Sequence, residues 1–537
     1  MDVEQYDNLI FCFRFRKAGY QAIDRICDYH ASLRDRPVTS QVEPGYLRKL
    51  LPASAPTTGE DFQLIADDYQ KYILPGLTHW QHPSFFAYFP AACTFEGILG
   101  DLYASSALNP GFNWSVGPAC TELEAVIMDW AAQILGLDKS FYNAAEGGGR
   151  GGGVMQTEAS DSALVVAVAA RSRYIREHPH VPMEKLVLYT TTQTHSLGEK
   201  AGLILGLKVR TLQVTSEDGF ALRGETLSVA LKMDVDAGFH PFILIATVGT
   251  TSSGAVDRLS EIADVAKHYP LFWLHVDAAW AGVALACPEY REVCQLPAIN
   301  RYVDSFSTNF HKWGLVNFDA SCLWVRYRKY LTDALAVTPE FLRSKQGDAD
   351  TFVDYRNWHL GLGRRFRSLK FWFVFRARGT KGFQKYIRDC VGLNAKFAQS
   401  IYESDLFSFV TKPFLALTVF RLEPKSIPYL TTPELNALNR IFHARLVARN
   451  DIAITQTELN GVFCVRMAIG AERTEERDID RALTLIEEEG RVALREWERI
   501  QIEAGVGLYC QWVTVDVGAL KRSCSVPISP GVCLPGQ

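Results

Sequence analysis

The sequence predicts an α/β protein built on a largely parallel sheet, and three observations carry that expectation. From residue 185 onward, short apolar runs alternate with helical stretches, the pattern of β–α units. The runs are apolar throughout, as the strands of a covered parallel sheet are. Polar residues collect just after them, at the strand ends where such sheets bind ligands.

Taken in order, residues 1–75 read as mostly helical, with EPGYLRKLLP as a connecting turn. A helix starts near residue 120 in ACTELEAVIMDWAAQILGL. There Thr121 and Glu124 have capping-box spacing, and Leu123, Val126, Ile127, Trp130 and Ile134 mark one apolar face. The glycines of EGGGRGGGVMQTEAS read as a flexible surface loop, since no G-K-[ST] follows and no strand precedes. Just downstream, Thr157, Ala159, Ser160 and Asp161 open a long helix, and a helix N-terminus with free N–H groups suits a phosphate. Alone, that start is no more than a cap.

The strands expected next are KLVLYT (185–190), PFILIATV (241–248), LFWLHVD (271–277), VDSFSTN (303–309) and ASCLWV (320–325). Between them lie the helical stretches SLGEKAGLILG and LSEIADVAKHY. The polar residues that follow the strands are His195 and Ser196, Thr250 and Thr251, Asp277, and Asn309, His311 and Lys312. The basic stretch RRFRSLKFWFVFRARGTKG (364–382) has an apolar helical face, so a packed helix with a charged rim is expected rather than a nucleic-acid site. The chain divides on this reading into an N-terminal helical segment (1–90), a large α/β domain (91–400), a small C-terminal α+β domain (401–509) and a loose tail (510–537).

Composition narrows the function classes. The chain has 537 residues, and 56 Lys and Arg against 60 Asp and Glu leave a net charge of −4. That balance argues against a dedicated nucleic-acid binder. The twelve cysteines are scattered, with no ligand spacing for zinc, so free thiols in a reducing compartment are expected. No run approaches the length of a membrane span, and the N-terminus does not read as a signal peptide. A cytoplasmic protein is the expectation.

Lys312 stands out within SFSTNFHKWGLVNFDASCLWV. A lysine among so many apolar residues either snorkels to water or is not a free amine in the resting protein. Asp277 closes a strand 35 residues earlier, and the phosphate-suited helix start lies upstream. Pyridoxal phosphate needs all three: a Schiff-base lysine, a carboxylate for the pyridinium nitrogen and a phosphate cup. His195 is a candidate for the face above the ring. Taken singly, Asp277 could be an N-cap, His195 a loop histidine and Lys312 a surface lysine. All three ordinary readings holding together in this order is far less expected.

The stretches EPGYLRKLLP, THWQHPSFFAYFPA, GFNWSVGPACTELE, HVDAAWAG, NFHKWGLVNFDAS and DYRNWHLGLGRRFRSLKFWFVFR together resemble the group II pyridoxal-phosphate decarboxylases, most of all the aromatic L-amino-acid decarboxylases and aromatic acetaldehyde synthases. The resemblance spans roughly residues 15–500. It implies the fold type I architecture, with a mainly parallel seven-stranded sheet, and a homodimer with active sites at the subunit interface. It further implies Lys312 as the Schiff-base lysine, Asp277 as the pyridinium partner and His195 as the stacked histidine. Ala159 and Ser160, with Asn309, match the phosphate site. Thr251 matches a threonine near the cofactor, with Thr250 as the alternative register. Trp80, Tyr88 and Phe112 match the aromatic wall, and His311 is the histidine beside the lysine. Gly363 leaves room for a large ring. The implied reaction is decarboxylation of Trp, Tyr, Phe or a hydroxylated relative to the amine.

The chain departs from the family pattern at several points. Phe310 replaces a proline, Ala91 a threonine near the substrate pocket, and T-E-A-S-D stands where the family has G-S-A-S-E, which adds Glu158 beside the phosphate site. The largest departure is Phe341, in Pro339-Glu340-Phe341-Leu342, where family decarboxylases carry a loop tyrosine. That tyrosine returns a proton to Cα after CO₂ leaves, and phenylalanine has no O–H to give. Relatives with phenylalanine there form an aromatic acetaldehyde, ammonia and hydrogen peroxide. Two other readings stand beside these. Another donor, His195 or a water, supplies the proton; or the chain is a non-catalytic paralogue.

Overall fold

Seven strands form the sheet that the alternation predicts. In chain order they are β1 (Gly152–Gln156), β2 (Leu186–Thr191), β3 (Lys208–Leu212), β4 (His240–Thr247), β5 (Trp273–Asp277), β6 (Ser305–Asn309) and β7 (Ser321–Val325). Their spatial order is β1-β7-β6-β5-β4-β2-β3. The run β6-β5-β4-β2-β3 is parallel, and β7 is antiparallel to both its neighbours. The computed structural model describes residues 3–144, 149–337 and 354–503. Phe341 and the expected tail, 510–537, lie outside the described residues. Residues 1–497 make one unit, and a second begins at Glu498, of which the helical residues 498–503 are described.

β2, β5, β6 and β7 are buried along their whole length, as strands covered on both faces must be. β3, at the sheet edge, is only half-buried and was absent from the expected set, because Lys208 and Arg210 interrupt its apolar pattern. β1 corrects the expectation of a surface loop: Gly152 and Gly153 lie in a buried edge strand. They are small because the space is taken. A Cβ on Gly153 would come within 2.6 Å of Met128 and Trp324, and one on Gly152 within 2.7 Å of Trp358. Packing explains these two glycines, and no ligand is needed.

Two further expectations change. The helix near residue 120 runs Pro118–Leu135 with Gly117 before it, so Thr121 and Glu124 lie inside it and form no capping box. Glu124 points instead into the interior, in a bidentate ion pair with Arg364 at 2.6 and 2.7 Å. On that helix Ile127 is buried, but Val126 and Trp130 are exposed. Second, EPGYLRKLLP contains a short helix, Tyr46–Leu50. The N-terminal segment also carries the helices Val3–Ala31 and Phe62–Asp68, with irregular chain at 36–45 and 51–61. The basic stretch does form a packed helix, Arg367–Glu403, broken only at Gly379, where φ is +58°, a value glycine adopts without strain.

A second, antiparallel sheet follows, of β8 (Phe407–Phe409), β9 (Leu417–Leu422), β10 (Thr455–Leu459) and β11 (Val462–Ala468), in the order β10-β11-β9-β8. Helix Thr432–Ala448 fastens to it through Asn439, whose side chain pairs with both backbone groups of Leu422. A buried ion pair ties the helix Pro118–Leu135 to the chain beyond residue 354. Glu124 accepts the Met155 N–H, Arg364 donates to the Met155 carbonyl, and the Arg364 N–H bonds Pro110 at 2.7 Å. Both side chains of that ion pair are about 95 % buried. Arg364→Met should therefore leave a buried, unpaired carboxylate and lower stability by about 3–5 kcal/mol. Equilibrium denaturation checks this, with Glu124→Gln/Arg364→Met expected to recover much of the loss.

Candidate active site

The carboxyl ends of β4, β5 and β6 open into one cavity of about 620 Å³. Each end delivers a polar group because the strand behind it is buried. Asp277 is the last residue of β5, and its carboxylate accepts the Ala279 N–H at 3.0 Å. Asn309 ends β6, and the single helical turn Phe310–Trp313 that follows carries His311 and Lys312. His195 sits in the loop after β2, its Nδ1 accepting the Leu197 N–H at 3.3 Å. The helix Ala159–Glu177 starts at the cavity, with Ala159 and Ser160 in its wall.

The structure brings Ala159, Ser160, His195, Thr251, Asp277, Asn309, His311 and Lys312 together with Trp80 and Tyr88 around this space. Thr250 does not share it. Its hydroxyl is spent inside a turn, against Ser253 at 2.6 Å and the Ala255 N–H at 2.9 Å. Phe112 and Gly363 also lie outside the lining, held near each other by the Arg364–Pro110 hydrogen bond.

Several cavity residues went unnamed in the sequence. Phe89 stacks on Trp280, with ring centroids 4.5 Å apart. Phe318 meets His311 edge-on. β10 contributes Thr455, Gln456 and Thr457. Arg466 is the largest omission. It is 2 % exposed, on β11, and its guanidinium lies 4.6 Å from the Phe89 ring centre, while the Lys312 ammonium lies 5.5 Å from the same centre. Nη1 of Arg466 donates to the Tyr88 carbonyl at 2.7 Å. Tyr88 itself has φ +55°, a left-handed conformation that costs a non-glycine residue energy. The Arg466 bond and a second, from the Tyr88 N–H to Thr455, hold it there. Tyr88 stacks on Trp80 at 5.6 Å.

Burial governs the charges. It pulls the Lys312 pKa below the ordinary lysine range and pushes Asp277 above the usual carboxylate range, each opposed by the charge of the other. It also lowers His195, against the attraction of Asp277, and takes Arg466 down to about 10. His311 is driven down to about 3 by burial, with Lys312 adding to the effect. The Ala320 N–H donates to His311 Nδ1 at 2.8 Å, so in the neutral ring the proton sits on Nε2.

The residues present fit a phosphorylated ring cofactor. The Asn309 Oδ1, the Thr247 Oγ1 and two nitrogens of Arg466 are buried without partners, which is costly unless a bound molecule satisfies them. A helix N-terminus with a serine offers donors to a phosphate, an amine is poised in a dry wall, and a carboxylate stands at the next strand end. Residues 44–423 match the model of the pyridoxal-dependent decarboxylase conserved domain.

The chain belongs to the pyridoxal-dependent decarboxylase family.

Its cofactor is pyridoxal phosphate, and its sheet is that of the fold type I members of the family. The family member phenylacetaldehyde synthase of Arabidopsis thaliana is 42 % identical over 486 residues, covering 90 % of this chain and 97 % of its own. Tryptophan decarboxylase 2 of Oryza sativa subsp. japonica is 40 % identical over 497 residues, covering 92 % and 96 %. Among solved structures, Oryza sativa TDC with PLP and tryptamine superposes with a TM-score of 0.85 at 37 % identity, over 89 % of this chain and 97 % of that one. Among the described residues no group of side chains is arranged to hold a metal ion, and no helix is long and apolar enough to cross a membrane.

His311 gives a pH test. Its folded pKa lies below its unfolded one, so its contribution to stability is fully present above about pH 6.5 and is lost as the pH falls towards 3. NMR of ring-labelled histidine should show a neutral Nε2–H tautomer that does not titrate between pH 5 and 8.

Proposed function

We propose that this chain removes the α-carboxylate of an aromatic L-amino acid (Trp, Tyr, Phe or a hydroxylated relative) and releases the arylalkylamine. The observation that carries this is the joining of Lys312, Asp277 and the helix start at Ala159 in one cavity under an aromatic wall. Bound there, pyridoxal phosphate supplies the electron sink for the pair left at Cα when CO₂ departs. Lys312 is the amine that links to the cofactor's aldehyde, its lowered pKa making it a competent nucleophile. Asp277 keeps a proton on the ring nitrogen, and its buried position makes that pairing strong. His195 would stack on the ring, Ala159, Ser160 and Asn309 would hold the phosphate, and Thr251 would stand beside the cofactor. Trp80, Tyr88 and Phe89 exclude water and orient the aromatic side chain, with the His311 N–H as a fixed, uncharged donor.

The site is completed by a second copy of the chain. Phe112 and Gly363 lie outside this cavity's lining, and Leu108, Val116, Leu360 and Leu362 near them are exposed, as are Val126 and Trp130. An apolar area of that kind fits a subunit interface, and a homodimer brings Phe112 and Gly363 of the partner to the substrate. The nine described cysteines are all free, which supports a cytoplasmic site of action.

Phe341 favours a second reading: an aromatic acetaldehyde synthase. Relatives with a tyrosine at this position use its hydroxyl to return a proton to Cα, and phenylalanine has none to give, so on this reading the electron pair passes to O₂. The balance is amino acid plus O₂ plus H₂O, giving aldehyde, CO₂, NH₃ and H₂O₂.

One assay separates the two. The enzyme is incubated in air with pyridoxal phosphate and L-Trp, L-Tyr or L-Phe, and amine, aldehyde and peroxide are quantified together. Amine without peroxide supports decarboxylation. Aldehyde and peroxide in equal amounts support the second reading, and Phe341→Tyr should then restore amine. Lys312→Ala should lower either activity by about a thousandfold or more and remove the bound cofactor's long-wavelength absorption. A purified protein that binds no cofactor and forms neither product overturns both.

A further inference from the structure

Glu158 stands directly before the helix start that faces the cavity, and it lines the same cavity as Lys312 and His195. It is the N-cap residue of helix Ala159–Glu177, extended at φ −140° and ψ 168°, yet its carboxylate accepts none of the helix's free N–H groups. No described cation stands at ion-pair distance from it. Its charge nonetheless reaches the site, where it opposes the depression of the Lys312 and His195 pKa values. Asp161 adds a second acid in the first turn. The stretch from Thr157 to Ala163, T-E-A-S-D-S-A, holds no lysine or arginine. The helix start therefore offers a phosphate N–H and hydroxyl donors, and the partial positive charge of a helix N-terminus, but no cation and one unengaged carboxylate.

We infer that Glu158 loosens this chain's grip on the phosphate of its cofactor. A phosphate monoester carries close to two negative charges at neutral pH. Glu158 is exposed at the edge of that helix start, so its carboxylate repels a neighbouring phosphate with a force that water and salt screen in part. Affinity then rests on Lys312 and Asp277 more than on the phosphate cup, so the fraction of enzyme holding cofactor follows its supply. This rests on placing the phosphate at Ala159 and Ser160.

The test uses full-length apoenzyme titrated with pyridoxal phosphate and, separately, with pyridoxal, which lacks the phosphate. Binding is followed by cofactor absorbance and by quenching of protein fluorescence. Glu158→Gln should bind pyridoxal phosphate about threefold more tightly than the native chain, and Glu158→Lys more tightly still. Both should change the affinity for pyridoxal much less, since there Glu158 acts only through its influence on Lys312 and His195. Raising the salt concentration should narrow the gap between native and Glu158→Gln protein. Unchanged or weaker binding of pyridoxal phosphate by Glu158→Gln overturns the inference, as does equal tightening towards pyridoxal. Ser160→Ala identifies which premise failed. If it weakens pyridoxal phosphate alone while Glu158→Gln changes nothing, the phosphate lies at the helix start and Glu158 is indifferent to it. If Ser160→Ala changes nothing either, the placement of the phosphate falls, and the inference with it.

Discussion

A lysine and a carboxylate held at the ends of neighbouring buried strands are what the rest of this site depends on. β5 and β6 lie side by side and parallel, so their last residues, Asp277 and Asn309, emerge on the same edge of the sheet. One turn beyond Asn309 comes Lys312. Parallel strands covered on both faces cannot place polar side chains along their length without partners. Their ends are where polarity is affordable, and three adjacent ends are enough to surround a small molecule.

The charges around that pair explain why the cavity needs an occupant. Lys312 and Arg466 bring two cations to the ring of Phe89, and among the described residues lining the cavity Asp277 is the buried anion beside them. Arg466 has donors left over. Such an arrangement is expensive when empty, because a buried guanidinium with unused N–H groups has lost its water without replacement. A doubly charged ligand corrects the balance. Glu158 works the other way, bringing a negative charge to the lining of the same space.

How much of this was legible can be seen residue by residue. The apolar runs that became β2, β4, β5 and β7 stand out in the sequence because each is a short stretch of mostly apolar residues, and the hydroxyl-rich β6, SFSTN, is marked by the apolar strands on either side. The polar residues behind them could be named for the same reason, and Lys312, Asp277, His195 and Asn309 do share one cavity. Arg466 was missed although it carries a comparable signal, a lone charge inside the apolar strand VFCVRMA. It lies in another sheet, more than 150 residues from Lys312, and nothing local says the two meet. Glu124 was misread for a related reason. Its spacing from Thr121 is that of a cap, but Pro118 starts the helix earlier, and a buried Arg364 from 240 residues away claims its carboxylate.

The sequence by itself determined the strand-and-helix alternation, the residues at the strand ends and the kind of chemistry they suit, because these follow from short-range patterns of polarity and from side-chain chemistry. Only the tertiary structure decided that Gly152 and Gly153 are packing glycines in a strand, that Thr251 rather than Thr250 lines the cavity, that Arg466 enters it, and that Phe112 and Gly363 do not. Each of these depends on which distant segment fills the neighbouring space. Close packing settles that for the whole chain at once, and no local window of sequence contains it.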